Sequence, residues 1–152
     1  MNALIVHFSK FGNTQKVAEA IAEALASDGA VRVVSTDRLS VSDLNQADLV
    51  VMGSPTHRMN LPEAVRPVFE TLPRRVLRGK RVAAFDTSYK MSALLARFTA
   101  APKLDRKLRR LGGKRLVRPE TFHVVGREGP LYEGEIERAK AWAASILGQA
   151  EP

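Results

Sequence analysis

The chain contains no cysteine. This excludes disulfides, thiolate metal sites and catalytic thiols together, and leaves any redox chemistry to a bound group. Long apolar runs are also missing, since none reaches the roughly 18 consecutive residues that a membrane span requires. The only histidines, His7, His57 and His123, are too scattered to offer metal-ligand spacing, and His7 and His123 fall inside strand patterns, where a structural role is expected. Aromatic residues make up 6% of the chain. They form no interleaved platform and accompany no recognition module, so nucleic-acid binding has charge alone in its favour and is not expected. The N-terminal stretch lacks the basic segment and small-residue cleavage site of a secretory signal, and a cytoplasmic location is the expectation. Repeats, low-complexity segments and linkers are absent. The 152 residues fit one domain, expected over residues 1–148 with a short tail at 149–152.

What is present is alternation. Apolar, β-rich runs exchange with helical patterns, the signature of βαβ units and a parallel sheet. Five strands are read: Ala3 to Phe8, Val31 to Ser35, Leu49 to Gly53, Arg81 to Asp86, and a split last strand. Its two parts are Arg115 to Val117 and, beyond Pro119, Thr121 to Val125. Four helical patterns lie between and after them. Thr14 to Ala26 places Val17, Ala18, Ile21, Ala22 and Leu25 at helical spacing, with Asn13 as its expected N-cap. Leu61 to Leu72 puts Val65, Val68, Phe69 and Leu72 on one face, with Pro62 in its first turn. Ser92 to Leu111 is interrupted by Pro102, which predicts two shorter helices or a kink, stopped by Gly112-Gly113. Glu133 to Leu147 buries Ile136, Ala139, Ala143, Ile146 and Leu147. With right-handed crossovers this order predicts an α/β doubly wound three-layer sandwich whose five-stranded parallel sheet runs 2-1-3-4-5.

In such a sheet, ligands bind beyond the carboxyl ends of the strands where the strand order reverses. Three loops meet there, after Phe8, Gly53 and Asp86. The first holds the hydroxyls of Ser9 and Thr14 and a Gly12-Asn13 pair, which suits backbone N–H groups wrapping an anion at a helix N-terminus. Read from spacing alone, the same residues would also serve a tight turn that binds nothing. A phosphoacceptor site would need an Asp at the end of the third strand, where Gly53-Ser54 stands. Ser54, His57 and Asp86 match a hydrolase triad by residue type only, with no nucleophile-elbow sequence.

The run Ser9-Lys10-Phe11-Gly12-Asn13-Thr14 resembles the flavodoxin signature of a hydroxyl residue, two variable positions and Gly-Asn-Thr opening the first helix. The stretch from Met52-Gly53-Ser54-Pro55-Thr56 to Pro62 is similar to the segment that follows the third strand in flavodoxin-like proteins. The resemblance implies FMN as cofactor. Ser9, Lys10, Phe11, Gly12, Asn13 and Thr14 would hold its phosphate. Ser54, Pro55, Thr56, His57, Arg58, Met59 and Asn60 would lie along the isoalloxazine. Asp86, Thr87, Ser88 and Tyr89 would meet the pyrimidine edge, with Tyr89 as the candidate stacking ring. Where well-studied flavodoxins carry a large apolar ring in the second loop, this chain has His57, Arg58 and Met59. The only tryptophan, Trp142, falls in the last helix and is read as packing. A flavin stacked on one side would leave room for a second substrate.

The net charge of +8 and pI near 10.3 come from two runs. Arg74, Arg75, Arg78, Lys80 and Arg81 form one. Lys103, Arg106, Lys107, Arg109, Arg110, Lys114, Arg115 and Arg118 form the other, relieved only by Asp105. Such runs read either as solvated faces or as attraction for an acidic redox partner or an anionic small-molecule substrate. Electron-shuttling flavodoxins are typically acidic, so the resemblance does not carry their partners over. The leading expectation is an FMN-binding redox protein that passes electrons through the exposed flavin edge. An NAD(P)H-dependent quinone or small-molecule reductase, using Arg58 or Lys90 for the anionic donor, and a flavin-free binding module are the alternatives. The sequence does not determine the oligomeric state.

Overall fold

Strand and helix alternate along the chain as the hydrophobic pattern requires. The computed structural model describes residues 1–57 and 59–150. In order these form β1 (Ala3–His7), α1 (Asn13–Leu25), β2 (Val31–Ser35), α2 (Val41–Gln46), β3 (Leu49–Pro55), α3 (Arg66–Glu70) and β4 (Arg81–Ser88). Then follow α4 (Ala93–Ala96), α5 (Ala100–Arg110), β5 (Lys114–Arg115), β6 (Glu120–His123) and α6 (Glu135–Ala150). These strands pair in parallel, in the order β2-β1-β3-β4-β5, and β6 also pairs with β4. The last strand is thus split as expected. β5 pairs with the start of β4 at Arg81 and Val82, and β6 with its end from Phe85 to Ser88.

Successive strand residues point to opposite faces, and both faces are covered. On one face Ile5, Val51, Ala83 and Phe85 pack against Val17, Ile21, Ala143 and Ile146 of α1 and α6. On the other, Leu4, Val6, Val50, Met52 and Ala84 meet Leu44, Val65, Leu104 and Leu108. Trp142 belongs to the first layer, as read from the sequence. Its ring lies edge-on to Phe85 and Phe122 with centroids 6.1 and 6.0 Å away, an arrangement that matches the ring quadrupoles. Gly53 is set by this layer, because a Cβ there would stand 2.0 Å from Cζ of Phe85.

Several expectations are corrected. β3 and β4 each run two residues further than read, so Ser54, Pro55, Thr87 and Ser88 lie in strands rather than loops. The ladder continues through the pairs Ser54 with Asp86 and Pro55 with Thr87. The pattern over 61–72 yields only a 3₁₀ turn, Glu63–Val65, and the short α3, because Pro67 cannot donate to a continuous helix and sits where α3 restarts. The helix break after Ser92 falls at Thr99 rather than Pro102. Pro102 occupies the first turn of α5, where its missing N–H leaves no bond unmade. α2 was not expected. Its signal is a capping box in which the Ser40 side chain accepts from the Asp43 N–H and the Asp43 carboxylate accepts from the Ser40 N–H.

Candidate cofactor site

The end of β1 delivers the chain into a loop whose tightness rests on Ser9 and Gly12. The Gly12 N–H donates to Ser9 Oγ at 3.0 Å, and Gly12 has a left-handed φ of 91° with open space where a Cβ would stand. Its role is conformational, since a side chain would be strained there without clashing. Gly12, not Asn13, is the N-cap of α1, and it offers no side-chain acceptor. Among the described residues the N–H groups of Asn13, Thr14 and Gln15 find no partner, and the first helical bond is Lys16 N–H to Gly12 O. Three unpaired donors at the positive end of a 13-residue helix are the arrangement that can receive an anion.

Asn13 is excused from capping because its side chain is used elsewhere. Its Nδ2 donates to Glu128 O at 3.1 Å, and a Cβ on Gly129 would come within 2.6 Å of its Oδ1. The turn that it grips is tied off by Val125 N–H to Pro130 O and Gly129 N–H to Gly126 O. Sequence reasoning missed this latch, although the Gly126, Gly129 and Pro130 turn residues signal it. Thr14 is buried, with its hydroxyl 2.9 Å from that of Thr87. Lys10 and Phe11 are exposed at the loop tip.

The second loop is a narrow turn. His57 N–H donates to Asn60 O at 2.8 Å and Asn60 N–H returns to His57 O at 3.0 Å. Met59 holds a φ of 60°, a strained value for a side chain of its size. Arg58 lies outside the described residues. Thr56 anchors the turn through its N–H to Thr87 O. His57 and Asn60 are exposed and Met59 half-buried, whereas Ser54 is fully buried and its hydroxyl donates to Pro55 O.

Of the third-loop candidates Asp86 to Tyr89, only Tyr89, 50% exposed, offers its side chain to the surface. Ser88 donates to Tyr89 O. Asp86 is fully buried on the opposite side of β4 from Thr87. Its Oδ2 accepts from Thr56 Oγ1 at 3.0 Å and from the Ala101 N–H at 2.8 Å, and Thr56 Oγ1 in turn accepts from the Ala100 N–H at 2.9 Å. Asp86 therefore caps α5 and ties it to the second loop. Burial pushes its carboxyl above the ordinary range, against the opposing pull of Thr121, the Ala101 amide, Thr99 and Thr56. Its Oδ1 has no hydrogen-bond partner in good geometry among the described residues. The structure thus brings Ser9, Gly12, Pro55, Thr56, His57, Met59, Asn60 and Tyr89 to the carboxyl ends of the strands with some surface open, and turns the side chains of Ser54, Asp86, Thr87 and Ser88 inward.

A cleft of about 550 Å³ opens at the other end of the sheet, lined by Met1, Asp48, Arg78 and Lys80 among others. It lies at the amino ends of the strands, away from the switch point where this architecture gathers its ligand loops. Among the described residues no cluster of acids and histidines could hold a metal ion, and no helix is long and apolar enough to cross a membrane.

The Flavodoxin family model matches residues 5–142. The chain belongs to the flavodoxin family. It is 34% identical over 95 residues to a flavodoxin of Maridesulfovibrio salexigens, covering 57% of this chain and 65% of that one. It is 31% identical over 130 residues to an NADPH-dependent diflavin oxidoreductase of Cryptococcus neoformans, covering 78% of this chain and 20% of that protein. The chain thus spans less than two thirds of either relative. Oxidised flavodoxin 2 of Bacillus cereus superposes with a TM-score of 0.81 at 22% identity, over 98% of this chain and 99% of that one.

Flavodoxin-family proteins bind FMN and serve as electron-transfer flavoproteins. The uncapped start of α1 is consistent with that cofactor, because a phosphate would satisfy donors that the described chain leaves unpaired. No basic side chain is needed for this.

Proposed function

We propose that this flavodoxin-family chain carries electrons on FMN anchored by its phosphate at Ser9 to Thr14. The observation that carries the reading is the trio of unpaired N–H groups at Asn13, Thr14 and Gln15 beside left-handed Gly12. Ser54 to Asn60 and Asp86 to Tyr89 would enclose the ring, chiefly through backbone groups, because most side chains of the third segment are committed internally. FMN supplies a ring that accepts and returns electrons, and its exposed edge would be their route in and out. Neither a general acid nor a nucleophile is required of the protein. The basic surface favours an acidic redox partner or an anionic small-molecule substrate.

The reductase reading draws support from the 31% identity to an NADPH-dependent diflavin oxidoreductase. Lys90, one of the two cations considered for the donor, holds its Nζ 4.1 Å from the centre of the Tyr132 ring. Titration of the purified protein with FMN tests the common part of both readings. Quenching of flavin fluorescence is expected, and its absence would end them. With FMN bound, NADPH oxidation in the presence of a quinone separates them, because a shuttle without hydride chemistry gives no turnover.

A further inference from the structure

The second basic run does not spread evenly around α5. Lys103, Arg106, Lys107 and Arg110 recur at i, i+3, i+4 and i+7, which puts them on one helical face. Together with Arg66 of α3 and the Asn60-Leu61-Pro62 segment they line a cleft of about 330 Å³. The only acid of the helix is on another side. Asp105 is buried and its Oδ2 holds Arg109 at 2.9 Å and Arg115 at 3.3 Å. Among the described residues none of the five cleft cations forms an ion pair.

Two of the five are fixed by other contacts. Lys103 Nζ donates to Met59 O at 2.7 Å and Phe98 O at 3.0 Å, and Lys107 Nζ stands 5.3 Å over the Phe69 ring. Among the described residues the guanidinium groups of Arg66, Arg106 and Arg110 meet no acceptor of an ion pair. Asn60 Oδ1 is occupied by the Leu61 N–H, so its amide also presents donors. Burial, reinforced by the neighbouring Arg106 charge, pushes the Lys103 amine below its ordinary value. Like charges are crowded here with no ion-pairing acid among the described residues, in a hollow walled by two segments rather than on an open helix face.

We infer that this cleft between α5 and the Asn60 to Arg66 segment binds a compact polyphosphate, the diphosphate group of a nucleotide or free pyrophosphate. A ligand that only accepts hydrogen bonds and carries several negative charges matches a lining of guanidinium, ammonium and amide donors. The hollow shape favours a small anion over an acidic protein face, which would meet a convex or flat patch. None of the five cations belongs to the Ser9 to Thr14 cradle, but the cleft shares Asn60 with the segment that would flank the flavin ring, so the test is made with that site filled.

Calorimetric titration of the full chain with pyrophosphate, after saturation with FMN to fill the cradle, tests it. Binding is expected at low salt, weakened about tenfold or more in the Arg106→Gln, Arg110→Gln double variant. The Lys114→Gln, Arg118→Gln pair, which removes the same charge elsewhere, is expected to bind as the unaltered protein does. ADP binding more tightly than pyrophosphate assigns the site to a nucleotide, and equal affinity assigns it to the free anion. No binding, or equal weakening by both double variants, overturns the proposal. Binding of poly-glutamate without any binding of pyrophosphate overturns it in favour of an acidic protein partner.

Discussion

The hydroxyls of Thr14 and Thr87, 2.9 Å apart and both buried, join the first turn of α1 to the end of β4. A change at either residue therefore reaches the anion cradle through its support as well as through any direct contact. Thr14→Ala is expected to cost about 1 kcal/mol of stability and to weaken FMN more than riboflavin. Parallel fluorescence titrations check this, and equal losses for the two flavins would contradict the phosphate placement.

Asp86 holds α5 against the second loop through two bonds to one carboxylate oxygen. Asp86→Ala would strand the Ala101 N–H and the Thr56 hydroxyl in the interior, at a cost of about 1–3 kcal/mol. Asp86→Asn keeps an acceptor for both and should lose less. The pH dependence is also signed. Burial raises the folded-state pKa above the ordinary 3.8, so the folded protein holds its proton more tightly than the unfolded chain. Stability falls as pH climbs from the unfolded value through the folded one. Urea melts across the acid range should show that fall flattened in Asp86→Asn.

His7 carries the opposite sign. It is 7% exposed and its Nδ1 lacks a partner among the described residues. Burial lowers its pKa from 6.5, against the raising influence of Glu19 and Asp37. The unfolded chain therefore takes up a proton first, and stability is lost as pH falls through 6.5 toward the folded value. His7→Gln is expected to reduce the decline on acidification below the unfolded value of 6.5. An unchanged slope in denaturant melts would assign that decline to other groups.

Gly53 faces the Phe85 ring so closely that Gly53→Ala must displace it. The expected cost is about 1–3 kcal/mol, with Phe85→Leu recovering part of it. A double-mutant cycle measures the coupling, and strict additivity would mean that the backbone, not the ring, gives way.

Much of this was legible in the residues. Val17, Ile21 and Leu25 face the core from α1 as their spacing requires, and the alternation of strand and helix led directly to the 2-1-3-4-5 sheet. Less legible were the ends of elements. Pro67 shortens α3 and Pro102 enters α5, because proline's effect depends on whether its missing N–H would have had a partner. Asp86 read as a strand end facing the cofactor for the same kind of reason. Only the ladder to Ser54 and the start of α5 turn it into a buried cap.

By itself the sequence determined the layers, the strand order and the loop that opens α1, since these follow from local periodicity and from the freedom of Gly12. Tertiary structure alone decided what each polar side chain faces. Thr14 meets Thr87, Asn13 grips the turn near Gly129, and one stripe of α5 closes a cationic cleft with Arg66. These are contacts between segments far apart in the chain. They depend on strand register and helix rotation, which no local pattern carries.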